Sequence, residues 1–177
     1  MFLKGEKVTL GPMEPEAWKS LALAHLDKDF DLLTSDDPFP KSAEDIARIY
    51  SKFSYPAGRI FQIFASIGEE SSTRGIGMVA LNDIDWKNRN AQGHISIWDK
   101  EARNKGFGNE AMKLMVDYGF NDLGLHRIYS IIIAGNDLVI NTAKSVGFKV
   151  EAQMTGCFFV GGRYKNGVLV SIINPVK

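Results

Sequence analysis

The stretch RNKGFGNEAMKLMVDYGF, residues 103–120, decides how the rest of the chain is interpreted. Gly106 and Gly108 follow an arginine and a lysine, and the pattern of an amphipathic helix begins directly behind them. The first N–H groups of a helix have no partner within it, and the helix dipole adds about half a positive charge there. Glycine also lets a ligand approach the backbone closely. The stretch therefore predicts a site for phosphate or pyrophosphate at the start of a helix.

The same stretch lacks the complete signature of either common nucleotide-binding loop. Ala111 stands where a dinucleotide fingerprint would have its third glycine, and no Gly-Lys-Ser/Thr run follows. An isolated pair of glycines is explained at least as well by a plain strand-to-helix turn with solvated charges. The surroundings of the motif must therefore decide between a ligand site and a turn.

Composition limits the classes of function. The 177 residues fit a single domain, residues 1–177, and Lys plus Arg equals Asp plus Glu at 21 each. No overall field draws such a chain onto nucleic acid or a membrane, and no apolar run approaches the roughly 20 residues of a membrane span. The single cysteine, Cys157, excludes an intramolecular disulfide and a cysteine-based zinc site, which fits a reducing cytoplasm. Its apolar surroundings predict that it is buried, and no metal site is expected.

Hydrophobic periodicity and turn residues predict seven strands and four helices. The strands are predicted at residues 7–13, 61–67, 75–85, 94–98, 126–134, 149–160 and 163–173. The helices are predicted at residues 15–26, 43–53, 107–120 and 136–147. Residues 27–40 are interpreted as a loop, because Pro38 and Pro40 cannot both sit in a helix interior. Antiparallel strands come first and strand–helix–strand units second, which indicates a mixed α/β fold.

The pattern Arg103-x-x-Gly106-x-Gly108 between a short strand and a helix resembles the acetyl-CoA loop of the GNAT N-acetyltransferases. The run IDWKNRNAQG before the loop, Asn136 eleven residues before Gly147-Phe148, and the ending FFVGGRYKNGVLVSII are similar to the ribosomal-protein and polyamine acetyltransferase branch. The resemblance extends from about Lys7 to Ile173. It implies a mixed α/β fold with a mostly antiparallel twisted sheet of about seven strands, splayed in the middle and flanked by about four helices.

The resemblance also implies that acetyl-CoA is the co-substrate. The pyrophosphate would rest on the N–H groups of the loop, the pantetheine arm would pair with the preceding strand, and Asn136 would bind the arm near the thioester. A splay between residues 95–98 and residues 126–134 would open the slot. The expected cofactor-binding residues are Ile95, Ser96, Ile97, Trp98, Arg103, Asn104, Lys105, Gly106, Phe107, Gly108, Asn109 and Asn136.

The implied reaction is direct attack of a primary amine on the thioester. Such an amine, with a pKa near 10, is mostly protonated at pH 7, so a base is useful. Gln92 stands where many members carry a glutamate, and Ala143 stands where many carry a tyrosine that acts as the acid. Val139, three residues after Asn136, stands where some relatives carry a serine. His94 shares a strand face with Gln92 and is one candidate base, and Asp83 is another, with Asp85 beside it. Each also has a purely structural interpretation, as a strand histidine or a turn-forming aspartate.

The acceptor stays open among a protein N-terminal amine, a polyamine, an amino sugar and an amino acid. Residues 27–40 carry five aspartates among apolar residues, which suits a cationic amine or a solvated loop. Four aromatic side chains either line the acceptor pocket or only pack: Trp18, Phe39, Trp86 and Trp98.

Two other classes of function remain. Gln92 and Ala143 give some support to a CoA-binding sensor or interaction module without catalysis. A nucleotide-binding domain that uses the glycine loop is less well supported, because its fingerprints are incomplete. No direct nucleic-acid or membrane partner is expected, and both a monomer and a homodimer are compatible with the sequence.

Overall fold

The computed structural model describes residues 2–34, 42–51, 56–66 and 73–175. The strands are β1 Leu3–Lys4, β2 Val8–Gly11, β3 Arg59–Ser66, β4 Thr73–Asp85, β5 Asn90–Ile97, β6 Arg127–Ile133, β7 Lys149–Val160 and β8 Arg163–Ile173. The helices are α1 Pro15–Ala24, α2 Lys28–Thr34, α3 Ala43–Ser51, α4 Phe107–Asn121 and α5 Asp137–Val146. One 3-10 turn, Lys100–Ala102, precedes α4.

The strands form one sheet in the order β1-β2-β3-β4-β5-β6-β8-β7. The pair β5–β6 is parallel, whereas the pairs on either side of it, β4–β5 and β6–β8, are antiparallel. A parallel pair needs a crossover connection, and α4 provides it between β5 and β6. The predicted mixed α/β fold with a mostly antiparallel sheet is confirmed.

Helices cover both faces of the sheet. The helices α4 and α5 pack on one face around fully buried Met115, Leu81 and Ile128. The helices α1, α2 and α3 pack on the other face, where Leu21 and Ile46 are each 1% exposed. Full burial of each such side chain contributes about 1.5–3 kcal/mol, so both layers stabilise the sheet between them.

Several element boundaries follow signals in the sequence. Ser42 and Asp45 cap α3 reciprocally: the Asp45 N–H donates to Ser42 Oγ at 3.1 Å, and the Ser42 N–H donates to Asp45 Oδ2 at 3.0 Å. The Ser42 hydroxyl holds the pKa of Asp45 below its ordinary value. The helix α5 ends at Gly147, whose φ of 113° is typical of a left-handed C-cap. The β7–β8 hairpin turns at Gly161-Gly162, as predicted, with φ of 60° and 75°.

The structure corrects the prediction of a loop at residues 27–40, because residues 28–34 form α2. Seven residues show too few apolar repeats for periodicity to reveal a helix, and this one depends on packing. Phe30 is 6% exposed, and His25 Nδ1 lies 2.9 Å from Asp31 Oδ1. Residues 35–41, which include Phe39, lie outside the described residues.

Three smaller differences concern strands. Among the described residues the sheet has eight strands rather than seven, because residues 3–4 add a short β1 that pairs with β2. The strand β5 begins at Asn90 rather than His94, since Asn90 pairs with both Asp85 and Arg127 despite its polar side chain. Cys157 is exposed rather than buried, because β7 is an edge strand of the sheet.

Candidate active site

The centre of the sheet opens between β5 and β6. The two strands pair at Asn90–Arg127, Ala91–Ile128 and Gln92–Tyr129. Both strands are fully described, and past Gln92 no further pair joins them. The predicted splay in the sheet is confirmed, and it leaves a gap between residues 93–97 and residues 130–133.

The glycine loop lies at the wide end of this gap. Asn104 and Gly106 adopt left-handed conformations, with φ of 62° and 84°, and Gly106 is the N-cap of α4. Asparagine and glycine tolerate this region best, so the loop can turn sharply into the helix. A Cβ on Gly108 would lie 3.4 Å from Ile95 Cδ1, so the first turn of α4 packs closely on β5. The unpaired N–H groups of that turn form a site suited to an anion.

The Arg103 side chain fastens the loop to its neighbours. Its Nε donates to the Ile97 carbonyl oxygen at 3.1 Å, and its guanidinium carbon lies 5.5 Å from the centre of the Phe30 ring. The arginine therefore joins the loop to the end of β5 and to α2. Part of its donor capacity is used in this way, which sequence reasoning about phosphate binding did not foresee.

Asp99 holds the segment that leads into the loop. Its carboxylate accepts the Glu101 N–H at 3.0 Å and caps the 3-10 turn, and it lies 2.9 Å from Arg74 Nε. Arg74 also pairs with Glu101 at 3.2 Å. The Asp99 side chain is 4% exposed and that of Arg74 is 55% exposed, so a buried carboxylate paired with a surface arginine anchors the loop segment to β4. The sequence signal for this cap, an aspartate two residues before Glu101, was present but unused.

A cavity of about 660 Å³ joins the loop to the gap between the strands. It brings together ten of the residues predicted for the site: His94, Ile95, Ser96, Ile97, Arg103, Asn104, Gly106, Gly108, Asn109 and Asn136. Four others are not among its lining residues: Asp83, Trp98, Lys105 and Phe107. Trp98 is 8% exposed in the core, and its Nε1 donates to the Gly75 carbonyl oxygen at 3.2 Å.

The two aspartates considered as bases lie at the β4–β5 connection. Asp83 is exposed with a φ of 50° and accepts a hydrogen bond from Asn82 Nδ2 at 2.9 Å. Asp85 accepts the N–H groups of Lys87 and Asn88 at 3.0 and 2.9 Å, and the Asn88 N–H keeps the pKa of Asp85 below its ordinary value. Both therefore serve the geometry of the turn, and neither lines the cavity.

Gln92 and His94 both line the cavity, as their shared strand face predicts. In the β4–β5 register, Gln92 is paired with Asn82 and His94 with Ala80. The His94 side chain is exposed, so it can exchange protons with solvent. Of the titratable side chains predicted as bases, His94 is therefore the one that the fold brings to the cavity.

The far wall of the cavity is formed by α5 and lacks a proton donor at the position expected for one. Ala143 and Val139 both line the cavity and carry no hydroxyl. Asn136 is the N-cap of α5, and its Oδ1 accepts the Val139 N–H at 3.4 Å. Asn109 Nδ2 donates to Ser145 Oγ, which ties the start of α4 to α5. The amide of Asn109 thus links the two helices, whereas the amide of Asn136 caps its own helix.

The wall on the opposite side comes mainly from α2, which sequence reasoning missed. Asp29, Phe30 and Leu33 line the cavity, together with Tyr50 from α3 and Phe158 from β7. The wall is mostly apolar and aromatic, with one carboxylate from α2.

Salt bridges and ring contacts fix this wall. Asp27 pairs with Lys100 at 2.8 Å, and the Lys100 ammonium lowers the pKa of Asp27. Trp18 stacks on Tyr50 with ring centres 6.1 Å apart, so it packs behind the wall. Trp86 is 43% exposed, lies 5.9 Å from the Arg59 guanidinium and is not among the lining residues.

Within the described ranges, no three His, Cys, Asp or Glu side chains come together to hold a metal ion. None of the helices that the structure describes is long and apolar enough to cross a membrane.

Comparisons with known proteins agree with this geometry. The family model described as "Acetyltransferase (GNAT) domain" matches residues 7–149. The spermidine N(1)-acetyltransferase of Escherichia coli (strain K12) is 35% identical over 96 residues, which cover 54% of this chain and 51% of that protein. The putative ribosomal N-acetyltransferase YdaF of Bacillus subtilis (strain 168) is 29% identical over 98 residues, which cover 55% of this chain and 52% of that protein. The chain thus spans about half the length of these two relatives.

The fold itself matches a solved structure over nearly its whole length. The crystal structure of spermidine N-acetyltransferase from Vibrio cholerae in complex with CoA and spermine has a TM-score of 0.83 at 24% identity, and the match covers 96% of this chain and 97% of that one. The family model spans most of the sequence, and the splayed sheet and glycine loop lie where the resemblance placed them. The chain therefore belongs to the GNAT acetyltransferase family, a family of acyltransferase enzymes.

Proposed function

We propose that this chain is an acetyl-CoA-dependent N-acetyltransferase that acts on a primary amine. The observation that carries the proposal is the cavity, which runs from the N-terminus of α4 into the gap between β5 and β6. One end offers backbone N–H groups to an anion, and the other offers unpaired strand edges to an amide-containing arm. Acetyl-CoA combines both chemical features, since it carries a pyrophosphate and a pantetheine arm.

The residues present suit this co-substrate. The N–H groups of residues 104–109 bind the pyrophosphate, and the open edge of β5, residues 95–97, pairs with the arm. Asn136, at the start of α5, is placed to hydrogen-bond the arm near the thioester. Bound acetyl-CoA supplies the activated acetyl group, and the protein supplies position and proton transfer.

The reaction is one acyl transfer. His94 takes a proton from the acceptor ammonium, directly or through water, and passes it to solvent. The neutral amine nitrogen then forms a bond to the thioester carbonyl carbon. The carbon–sulfur bond breaks, and the nitrogen releases its second proton to solvent as the amide forms. A backbone N–H of β5, such as that of Ile97, stabilises the developing oxyanion. Water protonates the leaving thiolate, because Ala143 and Val139 cannot.

Among acceptors, a polyamine is the class that the proposal favours. Two observations support it: relatives named spermidine N(1)-acetyltransferase, and Asp29 in the cavity wall. A carboxylate beside aromatic side chains suits a second ammonium group of the acceptor. The name of the Bacillus subtilis relative keeps a protein N-terminal amine as the second class to be tested.

The competing function is a CoA-binding sensor without catalysis. Gln92 and Ala143 favour it, since both line the cavity and neither can exchange a proton. Turnover with any amine excludes it, because a sensor binds the cofactor and releases no thiol.

The test combines isothermal titration with acetyl-CoA and a thiol-release assay against spermidine, amino sugars, free amino acids and short peptides with free N-termini. Binding and release with spermidine support the whole proposal. Thiol release with peptides alone would make a protein N-terminal amine, rather than a polyamine, the acceptor class. Binding of acetyl-CoA without thiol release would favour the sensor. A protein that does not bind acetyl-CoA would contradict both. The His94→Ala and Gln92→Ala variants form a matched pair, because both side chains line the same face of β5.

A further inference from the structure

Lys7 lies beside the glycine loop, although it is far from the loop in sequence. Its Nζ is 3.7 Å from the position that a Cβ atom on Gly106 would occupy. Gly106 is the N-cap of α4 and lines the cavity. An exposed ammonium group therefore stands at the rim of the cavity, at the end where the first N–H groups of α4 are unpaired.

Glu110 in the first turn of α4 fixes the position of Lys7. The Lys7 N–H lies 3.0 and 3.1 Å from the two Glu110 carboxylate oxygens, and the Glu6 N–H donates to the same carboxylate. Gly106 and Glu110 belong to the same helix end, so these bonds hold the Lys7 main chain at a constant place relative to the loop. The side chain then needs only its own flexibility to reach a ligand there.

The charges around the loop are not balanced. Lys100 pairs with Asp27, and Arg74 pairs with Asp99 and Glu101. By contrast, in the part of the chain that the structure describes, Lys7 and Lys105 have no carboxylate partner. Glu110, whose carboxylate accepts the Lys7 N–H, is engaged by two backbone amides. Two unpaired cations and a helix N-terminus give this rim a positive potential that an anion would stabilise.

We infer that Lys7 binds a phosphate group of the cofactor, together with the backbone of residues 104–109. The inference rests on the proposed function, and it adds to the binding site a residue from the N-terminal hairpin β1–β2. The compact ammonium of a lysine, on its flexible side chain, suits a phosphate that lies at an open rim. The planar guanidinium of an arginine would need a more defined geometry there.

The experiment is isothermal titration with acetyl-CoA on the wild type and the Lys7→Gln variant at low and high salt. The variant keeps the backbone N–H that binds Glu110, and an unchanged melting temperature checks that the hairpin stays docked. The dissociation constant is expected to rise about fivefold at low salt, which is typical of a lost exposed charge contact. The ratio of the variant's dissociation constant to that of the wild type should shrink at high salt, because screening already weakens the contact in the wild type.

Two further variants control for charge and chemistry. Lys19→Gln removes the same charge from an exposed position on α1, where Lys19 pairs with Glu16 at 3.6 Å, and should leave the affinity unchanged. Lys7→Arg keeps the charge and should retain most of the affinity. Affinity equal to that of the wild type in Lys7→Gln would overturn the role of Lys7 and leave the proposed function intact. A wild type that does not bind acetyl-CoA would instead overturn the proposed function itself.

A second ligand locates the contact. If Lys7→Gln weakens the affinity for acetyl-CoA and for its 3′-dephospho form by the same factor, Lys7 binds the pyrophosphate. If the loss is confined to acetyl-CoA, Lys7 binds the 3′-phosphate. Both results support a phosphate contact by this lysine.

Discussion

The two ends of the β5–β6 pair use their polar groups in opposite ways. At the closed end, where residues 90–92 pair with residues 127–129, Arg127 donates with both terminal nitrogens to the Glu151 carboxylate, each at 2.6 Å. Ser171 joins them, donating to Glu151 at 2.5 Å and accepting from Arg127 at 3.1 Å. At the open end the strands part, and Asn104 and Gly106 hold left-handed conformations beside unpaired N–H groups.

Within one pair of strands, the closed end therefore serves stability and the open end serves ligand binding. The closed end ties β6, β7 and β8 together through a bidentate charge pair, a geometry that is stronger than a single contact. The open end keeps backbone groups and strained residues available, at a cost in stability that the rest of the fold must offset. Substitutions at the open end should therefore change binding and turnover, whereas substitutions at the closed end should change unfolding.

The largest effect is expected for Gly108→Trp. A Cβ at this position would lie 3.4 Å from Ile95 Cδ1 and 3.8 Å from Ile97 Cγ1, so a methyl group fits and an indole must occupy the cavity. Titration should show acetyl-CoA affinity reduced by a factor of about 100 or more. Gly108→Ala is the control and should bind within a few-fold of the wild type. Unchanged affinity in the tryptophan variant would refute the assignment of the glycine loop.

His94→Ala should lower kcat by about 100-fold, the size expected when a general base is lost. The acetyl-CoA dissociation constant should stay the same, and the limb of the pH–rate profile near neutrality should disappear. Gln92→Ala, on the same strand face, should keep that limb because an amide does not titrate. A limb that survives in His94→Ala would assign the histidine a structural role.

Gly106→Ala should have an intermediate effect. The φ of 84° at Gly106 costs a residue with a Cβ about 1–2 kcal/mol, which acts on the stability of the loop and on its ability to bind. A melting temperature lower by a few degrees and an acetyl-CoA affinity lower by up to about tenfold are expected. Asn104→Gly, at a φ of 62°, is the control, since it relieves strain rather than adding it. Two variants that behave alike would show that the left-handed geometry is unimportant.

Glu151→Gln tests the closed end and should have the smallest effect. Arg127 lowers the pKa of Glu151 from 4.5 to about 2, so the pair contributes its full stability above pH 4.5 and loses it as the pH falls to about 2. At neutral pH the variant should melt a few degrees lower than the wild type, with unchanged turnover. The difference in melting temperature between the two should shrink below pH 4.5 and vanish below about pH 2.

Glu16→Gln is the matched control for the closed end, because the Glu16 side chain is 76% exposed and lies 3.6 Å from Lys19. Its melting temperature should follow that of the wild type at every pH. A Glu151→Gln variant that also followed the wild type would show that the Arg127–Glu151 pair adds no stability, and the contrast between the two ends would then fail.

Much of this architecture could be read from local patterns. The repeat of apolar residues behind Gly108 predicted α4, and Gly147 and Gly161-Gly162 predicted a helix end and a hairpin turn. These features depend on residues within a few positions of one another, because side-chain periodicity and the conformational freedom of glycine are local properties. The same reasoning gave the order of strands and helices, and hence the mixed fold.

Other features were decided only by tertiary structure. The helix α2 is short and is held by Phe30 and by the pair of His25 with Asp31, so its own sequence could not predict it. Trp98, expected near the cofactor, lies just past the end of β5 and packs in the core with Leu21 and Phe30 instead, residues that are far from it in the sequence.

The surroundings of the glycine loop show the same limit. Arg103 is joined to Phe30, and Lys7 stands beside Gly106, although each pair is far apart in the sequence. The chain by itself determined which residues turn, pair and coil, since those preferences act over a few residues. Which side chains meet at the cavity depended on strand register and helix packing, which exist only once the whole sheet has formed.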